Sequence, residues 1–307
     1  MNILITGSTG QVGYELCRSL ALFGQIKVPT RQELDLEDPL AVDEYLKIHK
    51  PDLIVNACAY TAVDRAESEP EKARRLNMEL PAQLAEYAHA KGIWLVHYSS
   101  DYVYPGIGDT PFSEVAPTGP LGVYGKTKLE GDEAIAASGC RYLIFRTSWV
   151  YSARGNNFLK TMLRLAEVKN SLNVVADQIG APTPARLIAG VTAVAVCKIV
   201  SCRNYREVQE AECETVASGI YHLSPTGETS WYDFAQSIFR LAAAKGKILA
   251  LELSNVNPIP TGDYPTPAKR PLNSRLDLKK IQSTFGLSLP SWQDQLALTL
   301  TEYLEKS

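Results

Sequence analysis

Three observations predict an α/β protein: a doubly wound parallel sheet followed by a smaller α/β C-terminal domain. Short β-branched runs alternate with longer amphipathic stretches through the first half, the pattern of repeated βαβ units. The chain opens with a strand that runs straight into a glycine cluster, Gly7-Ser8-Thr9-Gly10-Gln11-Val12-Gly13. Beyond about residue 150 the alternation gives way to scattered helical patterns. The 307 residues therefore divide into 1–150 and 151–307, with segments of about 171–227 returning to the first unit.

Taken in order, Asn2–Thr6 is a buried-type strand, 11–23 a helix closed by Gly24, and 26–29 a second strand. A helix over 39–50 ends at Pro51, and 53–57 is a third strand. The helical stretch 71–91 contains Pro81, which predicts an interruption, and Gly92 closes it. Strands four and five are 93–99 and 141–146. Between them a Pro/Gly/Asp-rich loop, 101–120, leads into a helix from about Gly122. A loop of that length in a compact domain is usually functional. The second half carries helical patterns near 158–168, 186–200, 231–245, 276–285 and Trp292–Leu304. The segment 257–271 has five prolines and reads as an irregular loop, and the charged insert 202–216 as a surface excursion.

Composition narrows the function classes. Apolar residues make up 45% of the chain, enough for a true core, and the formal charge is -3 with no block of five basic residues. Neither nucleic acid nor an anionic membrane is an expected partner. Six cysteines without any C-x-x-C read as reduced thiols, and with no basic leader and no bilayer-length apolar run the expected location is the cytoplasm. The four histidines are widely spaced, and no H-E-x-x-H or G-x-S-x-G occurs, so no metal ligands are assigned and a hydrolase has no anchor.

The glycine cluster between a strand and a helix is the turn that brings a backbone close to a pyrophosphate, held by the helix N-terminus. Gly7, Gly10, Gln11, Val12 and Gly13 are its candidate cofactor residues. After strand two the sequence reads Pro29-Thr30-Arg31, with the first acid only at Glu33. A hydroxyl and a guanidinium suit the 2′-phosphate of NADPH, with NADH the alternative if Arg31 is an ordinary surface arginine. Asp35 and Leu36 would bracket the adenine, and Ala57, Ala59, Tyr60 and Thr61 fall along the carboxyl edge of the sheet.

Gly125-Lys126-Thr127 resembles the end of a phosphate loop, but the glycine that loop needs five residues earlier is Pro120, which lacks an N–H. The flanking residues carry the better chemistry. Tyr124 and Lys128 stand at i and i+4, on one helix face. A free tyrosine titrates at about 10, and the ammonium is expected to lower that value. Ser99 or Ser100, at the end of strand four, would position the reacting oxygen.

Together these motifs resemble the extended short-chain dehydrogenase/reductase superfamily. The stretches from Val55 to Asp64, His97 to Tyr104 and Val123 to Lys128 are similar to the dTDP-4-dehydrorhamnose reductase family within it. So are Phe145 to Tyr151, Asp177 to Thr183 and Arg270 to Leu276. The resemblance implies a Rossmann-type cofactor domain and a substrate domain, and reduction of the C4 keto group of dTDP-4-dehydro-β-L-rhamnose by NAD(P)H. It implies Tyr124 as proton donor, Lys128 as its tuning charge and cofactor ligand, and Ser100 on the C4 oxygen where many members have Thr. It also adds Tyr98 to the cofactor set and Asp101 to the substrate set, and sets Trp149 against the sugar, where a packed core tryptophan is the other reading. For the nucleotide half, Asn156, Asn157, Phe158, Arg270, Asn273 and Arg275 are candidates, arginine for its bidentate pairing with phosphates.

Arg186 stands where some relatives carry an acid linked to magnesium at a dimer contact. It argues against a metal-bridged dimer even with Glu15 present, and leaves a monomer or a homodimer. A dehydratase would need Asp-Glu after the strand-four hydroxyl, and Ser100 is followed by Asp101-Tyr102. Another reductase or an epimerase of the superfamily, or a non-catalytic subunit like the regulatory subunit of methionine adenosyltransferase, stay as alternatives.

Overall fold

The computed structural model describes residues 1–208 and 216–305, the side chains of 202–208 excepted. Of the predicted excursion at 202–216, residues 202–208 instead continue a helix, and 209–215 lie outside the described residues. Strand β1 (Asn2–Thr6) leads into α1 (Gln11–Ser19), followed by β2 (Gln25–Lys27) and α2 (Pro39–His49). Asp38 caps α2 by accepting from the Leu40 and Ala41 N–H groups, and Pro39 fits its first turn. Next come β3 (Leu53–Asn56), α3 (Val63–Ala66), α4 (Pro70–Arg74), a π turn at Arg75–Glu79, and α5 (Leu80–Lys91). The interruption expected at Pro81 is a π turn directly before it, where the Leu80 N–H bonds back to the Arg75 carbonyl and the helix runs on without a break.

β4 (Trp94–Ser100), α6 (Val123–Ala137) and β5 (Arg141–Thr147) continue the alternation. They are followed by β6 (Val150–Tyr151), α7 (Phe158–Ala166), β7 (Leu172–Val175), β8 (Ile179–Gly180), β9 (Thr183–Pro184) and α8 (Ala185–Val208). The chain closes with β10 (Gly219–His222), β11 (Thr229–Ser230), α9 (Trp231–Ala244), β12 (Val256–Ile259), α10 (Lys279–Phe285) and α11 (Trp292–Leu304).

Six strands form one parallel sheet in the order β2-β1-β3-β4-β5-β10. Helices cover both faces, as buried parallel sheets require. On one face Leu16 and Leu20 meet Ile188, Val191 and Val196 of α8 and Ile281 and Phe285 of α10. On the other, Val42, Leu46, Leu80, Leu84 and Ile135 pack on Leu4, Ile54 and Ile144. A second core gathers Leu159, Leu163, Phe234, Ile238, Phe239, Trp292, Leu296 and Leu300 from α7, α9 and α11. The chain therefore leaves the sheet after β5, returns for α8 and β10, and supplies α10 to the first core late. The proline-rich segment is not wholly irregular: β12 pairs in parallel with β7, and Pro258 is tolerated because this ribbon has only two strands.

Candidate active site

The strand order reverses at β1, whose neighbours β2 and β3 follow it in opposite directions across the sheet. Ligands of open α/β sheets bind at such a switch point, beyond the strands' carboxyl ends. The glycine cluster lies there. Gly7 is left-handed at φ 71°, and a Cβ on it would come within 2.6 Å of the Ala57 carbonyl oxygen. A Cβ on Gly13 would collide with the Gly7 carbonyl. Helix α1 begins at Gly10 with no side-chain cap and no acid in its first turn. Its first N–H groups therefore face outward with the positive end of the helix dipole, which fits a pyrophosphate. Gln11 points elsewhere: its carbonyl oxygen accepts from Ser152 Oγ (3.2 Å) and Asn157 Nδ2 (2.8 Å).

The remaining cofactor candidates are spread around this turn. Thr30 binds Glu33 through both its N–H (2.8 Å) and its hydroxyl (2.9 Å), and Arg31 pairs with Glu37 on the surface. Asp35 Oδ1 accepts from the Glu37 N–H (3.0 Å), beside half-buried Leu36. Ala57, Ala59, Tyr60 and Thr61 follow β3 as predicted. Asn77, fully buried in the π turn, holds this loop by accepting from the Tyr60 N–H (2.8 Å) and donating to its carbonyl (3.1 Å). Tyr98 differs from the expectation. Its hydroxyl bonds Thr192 on α8 (2.9 Å), so its ring lies on the far face of the sheet, and only its carbonyl reaches the site.

Helix α6 carries the reacting pair. Tyr124 packs edge-on against Tyr102 at 5.4 Å, with its hydroxyl on the side of Ser100. Gly125 explains the false phosphate-loop motif: any Cβ there would strike the Tyr102 carbonyl oxygen. Thr127 accepts from Asn77 Nδ2 (3.2 Å), and Lys126 is exposed. Lys128 is 1% exposed, donates to the Tyr98 carbonyl (2.6 Å) and stands 3.1 Å from His97 Nε2.

The two serines divide their work. Ser100 faces Tyr124 and donates to Asp101 Oδ1 (3.0 Å), whereas Ser99 donates to Asp132 (2.9 Å) behind the site. Asp132, four residues after Lys128, also accepts from Arg146 Nε (2.9 Å) in a buried ion pair. Desolvation pushes Asp101 up to about 6 and Tyr124 up to about 12, the latter despite the nearby Ser100 hydroxyl. Lys128 is pulled down to about 8, again by burial. Among the chain's own groups, burial of the phenol outweighs the lowering expected from Lys128, whose Nζ is turned to the Tyr98 carbonyl.

Across from α6, Trp149 is held at φ 49°, a conformation rare for a bulky residue. Its ring stacks on Trp231 at 3.7 Å and rests against Gly180, half-buried rather than in the core. Arg270 donates to Asp64 (2.7 Å), next to Tyr102, while its Nη1 is buried without a partner. Two substrate candidates are not brought to the site. Arg275 is bound to Glu228 (2.6 and 3.1 Å) and Asn273 (3.2 Å), lining a cavity with Pro111, Ser224 and Lys279. Asn157 caps α7 by accepting from the Lys160 N–H (3.2 Å), and its amide N–H groups go to Gln11, Ser152 and Arg154. Both are used up by structure.

The magnesium position does not fit a divalent cation. The Arg186 guanidinium lies 3.6 Å from Glu15 and 2.6 Å from Glu302, supplying the positive charge itself. Among the described residues no cluster of three metal-ligating side chains occurs, and no helix is long and apolar enough to cross a membrane.

Sequence reading missed Asn56, Asn77, His97, Asp132 and Arg146. Asn56 and His97 were visible as polar residues inside apolar strands, and Asp132 as the i+8 partner of Tyr124.

Nicotinamide-dependent oxidoreductases of the extended short-chain dehydrogenase/reductase class are built this way, and the fold and site set the chain among them. More narrowly, it belongs to the family described as RmlD substrate binding domain, whose model matches residues 1–305. It is 48% identical over 306 residues, 98% of each chain, to the dTDP-4-dehydrorhamnose reductase of Salmonella typhimurium. A crystal structure of a dTDP-4-dehydrorhamnose reductase from Clostridium acetobutylicum superposes with a TM-score of 0.85 at 35% identity, covering 100% of both chains. Another, from Bacillus anthracis in complex with NADP, gives 0.84 at 30% identity, covering 98% of this chain and 99% of that one.

Proposed function

We propose that the protein reduces the C4 keto group of dTDP-4-dehydro-β-L-rhamnose to give dTDP-L-rhamnose, with NADPH preferred over NADH. The observation that carries this reading is that Tyr124 and Lys128 share one face of α6 beside Ser100 at the carboxyl end of β4, in a chain matched over 98% of its length by a named reductase. Gly7, Gly10, Gly13 and the uncapped start of α1 would hold the cofactor pyrophosphate, with Thr30 and Arg31 toward the adenosine ribose. When bound, the reduced nicotinamide supplies the hydride.

The chain's own groups supply the rest. A phenol pushed up to about 12 is fully protonated at neutral pH, so Tyr124 stands ready as an acid. An alkoxide at C4 is a stronger base than a phenolate, which makes proton transfer from Tyr124 favourable. Ser100 orients the same oxygen, and buried Asp101 fixes Ser100. Trp149, braced by Trp231, offers a flat apolar face to the 6-deoxy sugar. Arg270, with an unpartnered Nη1, is the preferred pyrophosphate ligand over Arg275. A monomer or homodimer in the cytoplasm is proposed, and the Arg186 contacts with Glu15 and Glu302 support the absence of a bridging magnesium.

The test is nicotinamide oxidation, followed by absorbance, with each cofactor on dTDP-4-dehydro-L-rhamnose generated in situ. Stoichiometric oxidation is expected, faster with NADPH. No oxidation of either cofactor overturns the reading, and conversion without net oxidation would indicate an epimerase instead.

A further inference from the structure

Two polar side chains break the apolar strands beneath the site. Asn56 ends β3, His97 lies within β4, and the two are paired in register and fully buried. The Asn56 amide is oriented by its oxygen, which accepts from Thr6 Oγ1 (2.6 Å) and the Cys58 N–H (3.3 Å). Its Nδ2 is thereby aimed at His97, 3.1 Å from Nδ1. An amide NH₂ only donates, so His97 Nδ1 accepts, and the neutral ring must carry its hydrogen on Nε2. That nitrogen is 3.1 Å from Lys128 Nζ. An ammonium has no lone pair, so it would oppose one donor with another. A free amine accepts the Nε2–H and still donates to the Tyr98 carbonyl at 2.6 Å.

We propose that Asn56 and His97 are positioning residues that present an N–H, not a lone pair, to Lys128, poising this lysine to release and regain a proton. The groups facing Lys128 from each side are His97 on β4, Cys58 after β3, and Asp132 on α6. Burial raises the Cys58 thiol to about 11, so it brings no charge at neutral pH. Asp132 favours the ammonium, but its carboxylate is already bonded to Arg146 and Ser99. Burial of Lys128 acts in the same direction as the His97 N–H. His97 itself is held neutral, far below its usual range, by burial and then by the lysine. Each turnover takes one proton from Tyr124 to the substrate oxygen, and a solvent proton must return. A lysine one helical turn away can carry it if amine and ammonium are close in energy. That use rests on the reductase reading, whereas the protonation pattern does not.

Proton–nitrogen correlation NMR of the ¹⁵N-histidine-labelled protein, with no nucleotide added, tests the pattern. His222 is an internal reference, because its Nδ1 donates to the Asp277 carbonyl (3.2 Å) and its Nε2 accepts from the Tyr104 hydroxyl (2.6 Å). We expect opposite tautomers, His97 protonated on Nε2 and His222 on Nδ1, with neither becoming imidazolium between about pH 6 and 8. A His97 proton on Nδ1, or an imidazolium, overturns the proposal. In Asn56→Asp the carboxylate only accepts, so the His97 hydrogen should move to Nδ1 and leave Lys128 facing a lone pair. The Lys128 ¹³Cε titration should then rise by roughly one pH unit. The tautomer shift in the same protein separates this from a simple charge effect. An unmoved tautomer and titration in folded N56D overturn the proposal, and if N56D does not fold, the tautomer of the unsubstituted protein decides.

Discussion

The two walls of the cleft treat charge in opposite ways. On the β4/α6 wall Lys128, Asp132 and Arg146 are at most 3% exposed and bonded to one another's neighbours. On the facing wall Arg270 pairs with an acid that is 40% exposed, and outside the cleft Arg275 pairs with one that is 55% exposed. Removing one member of a buried pair strands its partner without water, which costs far more than losing an exposed pair. The first wall is therefore fixed before any ligand arrives. The second holds its cation, Arg270, in a contact weak enough to exchange for a phosphate. Chemistry needs groups that do not move, and binding a charged substrate needs groups that can change partners.

The largest effect expected is on the fixed wall. Tyr124→Phe should lower kcat roughly a thousandfold, the scale of general acid catalysis, while nicotinamide binding, read by fluorescence, is unchanged. A variant with full turnover would remove Tyr124 as the acid. Next, Asp132→Ala leaves Arg146 buried and unpaired and should cost about 3–5 kcal/mol in urea unfolding. A loss below about 1 kcal/mol would show that this wall is no more fixed than the other.

The same contrast predicts a pH dependence of stability. His222 is depressed from 6.5 to about 3 in the folded protein by burial and the nearby Arg146 charge. The unfolded chain therefore takes up a proton first as the pH falls. Stability from this group is complete above its unfolded value and is lost progressively between pH 6.5 and about 3. By pH 5 the loss should be about 2 kcal/mol, with neutral His97 adding in the same direction. Unfolding at pH 7 and pH 5 measures it, and equal stability at the two values would mean that the histidine is not held neutral.

What the sequence revealed follows the same division. The sheet, the glycine turn and the Tyr124–Lys128 pair depend on local spacing, which periodicity displays directly. Residue chemistry alone left Ser99 and Ser100 open and the family resemblance picked Ser100; alternation along β4 shows why, turning one hydroxyl toward Tyr124 and the other to Asp132. Arg275 and Asn157 were misplaced for a different reason. Their residue types suit phosphates and nucleotides, but their partners, Glu228 and Gln11, lie 47 and 146 residues away. Burial also outweighs the lowering expected for Tyr124, and no local pattern encodes the depth of a side chain.

The smallest effects decide whether the second wall is exchangeable. If Arg270 leaves Asp64 to bind the substrate pyrophosphate, that ion pair competes with binding, and Asp64→Asn should tighten dTDP two- to fivefold by calorimetry, matching the roughly 0.5–1 kcal/mol of an exposed pair. Glu228→Gln frees Arg275 in the same way, yet that guanidinium lines the other cavity, so dTDP affinity should stay constant. The two variants remove equivalent charges from equivalent contacts, so bulk electrostatics would move both together. Tighter binding in the first alone assigns the pyrophosphate to Arg270. Equal change in both, or in neither, would mean that Arg270 is structural and that the phosphates are held elsewhere.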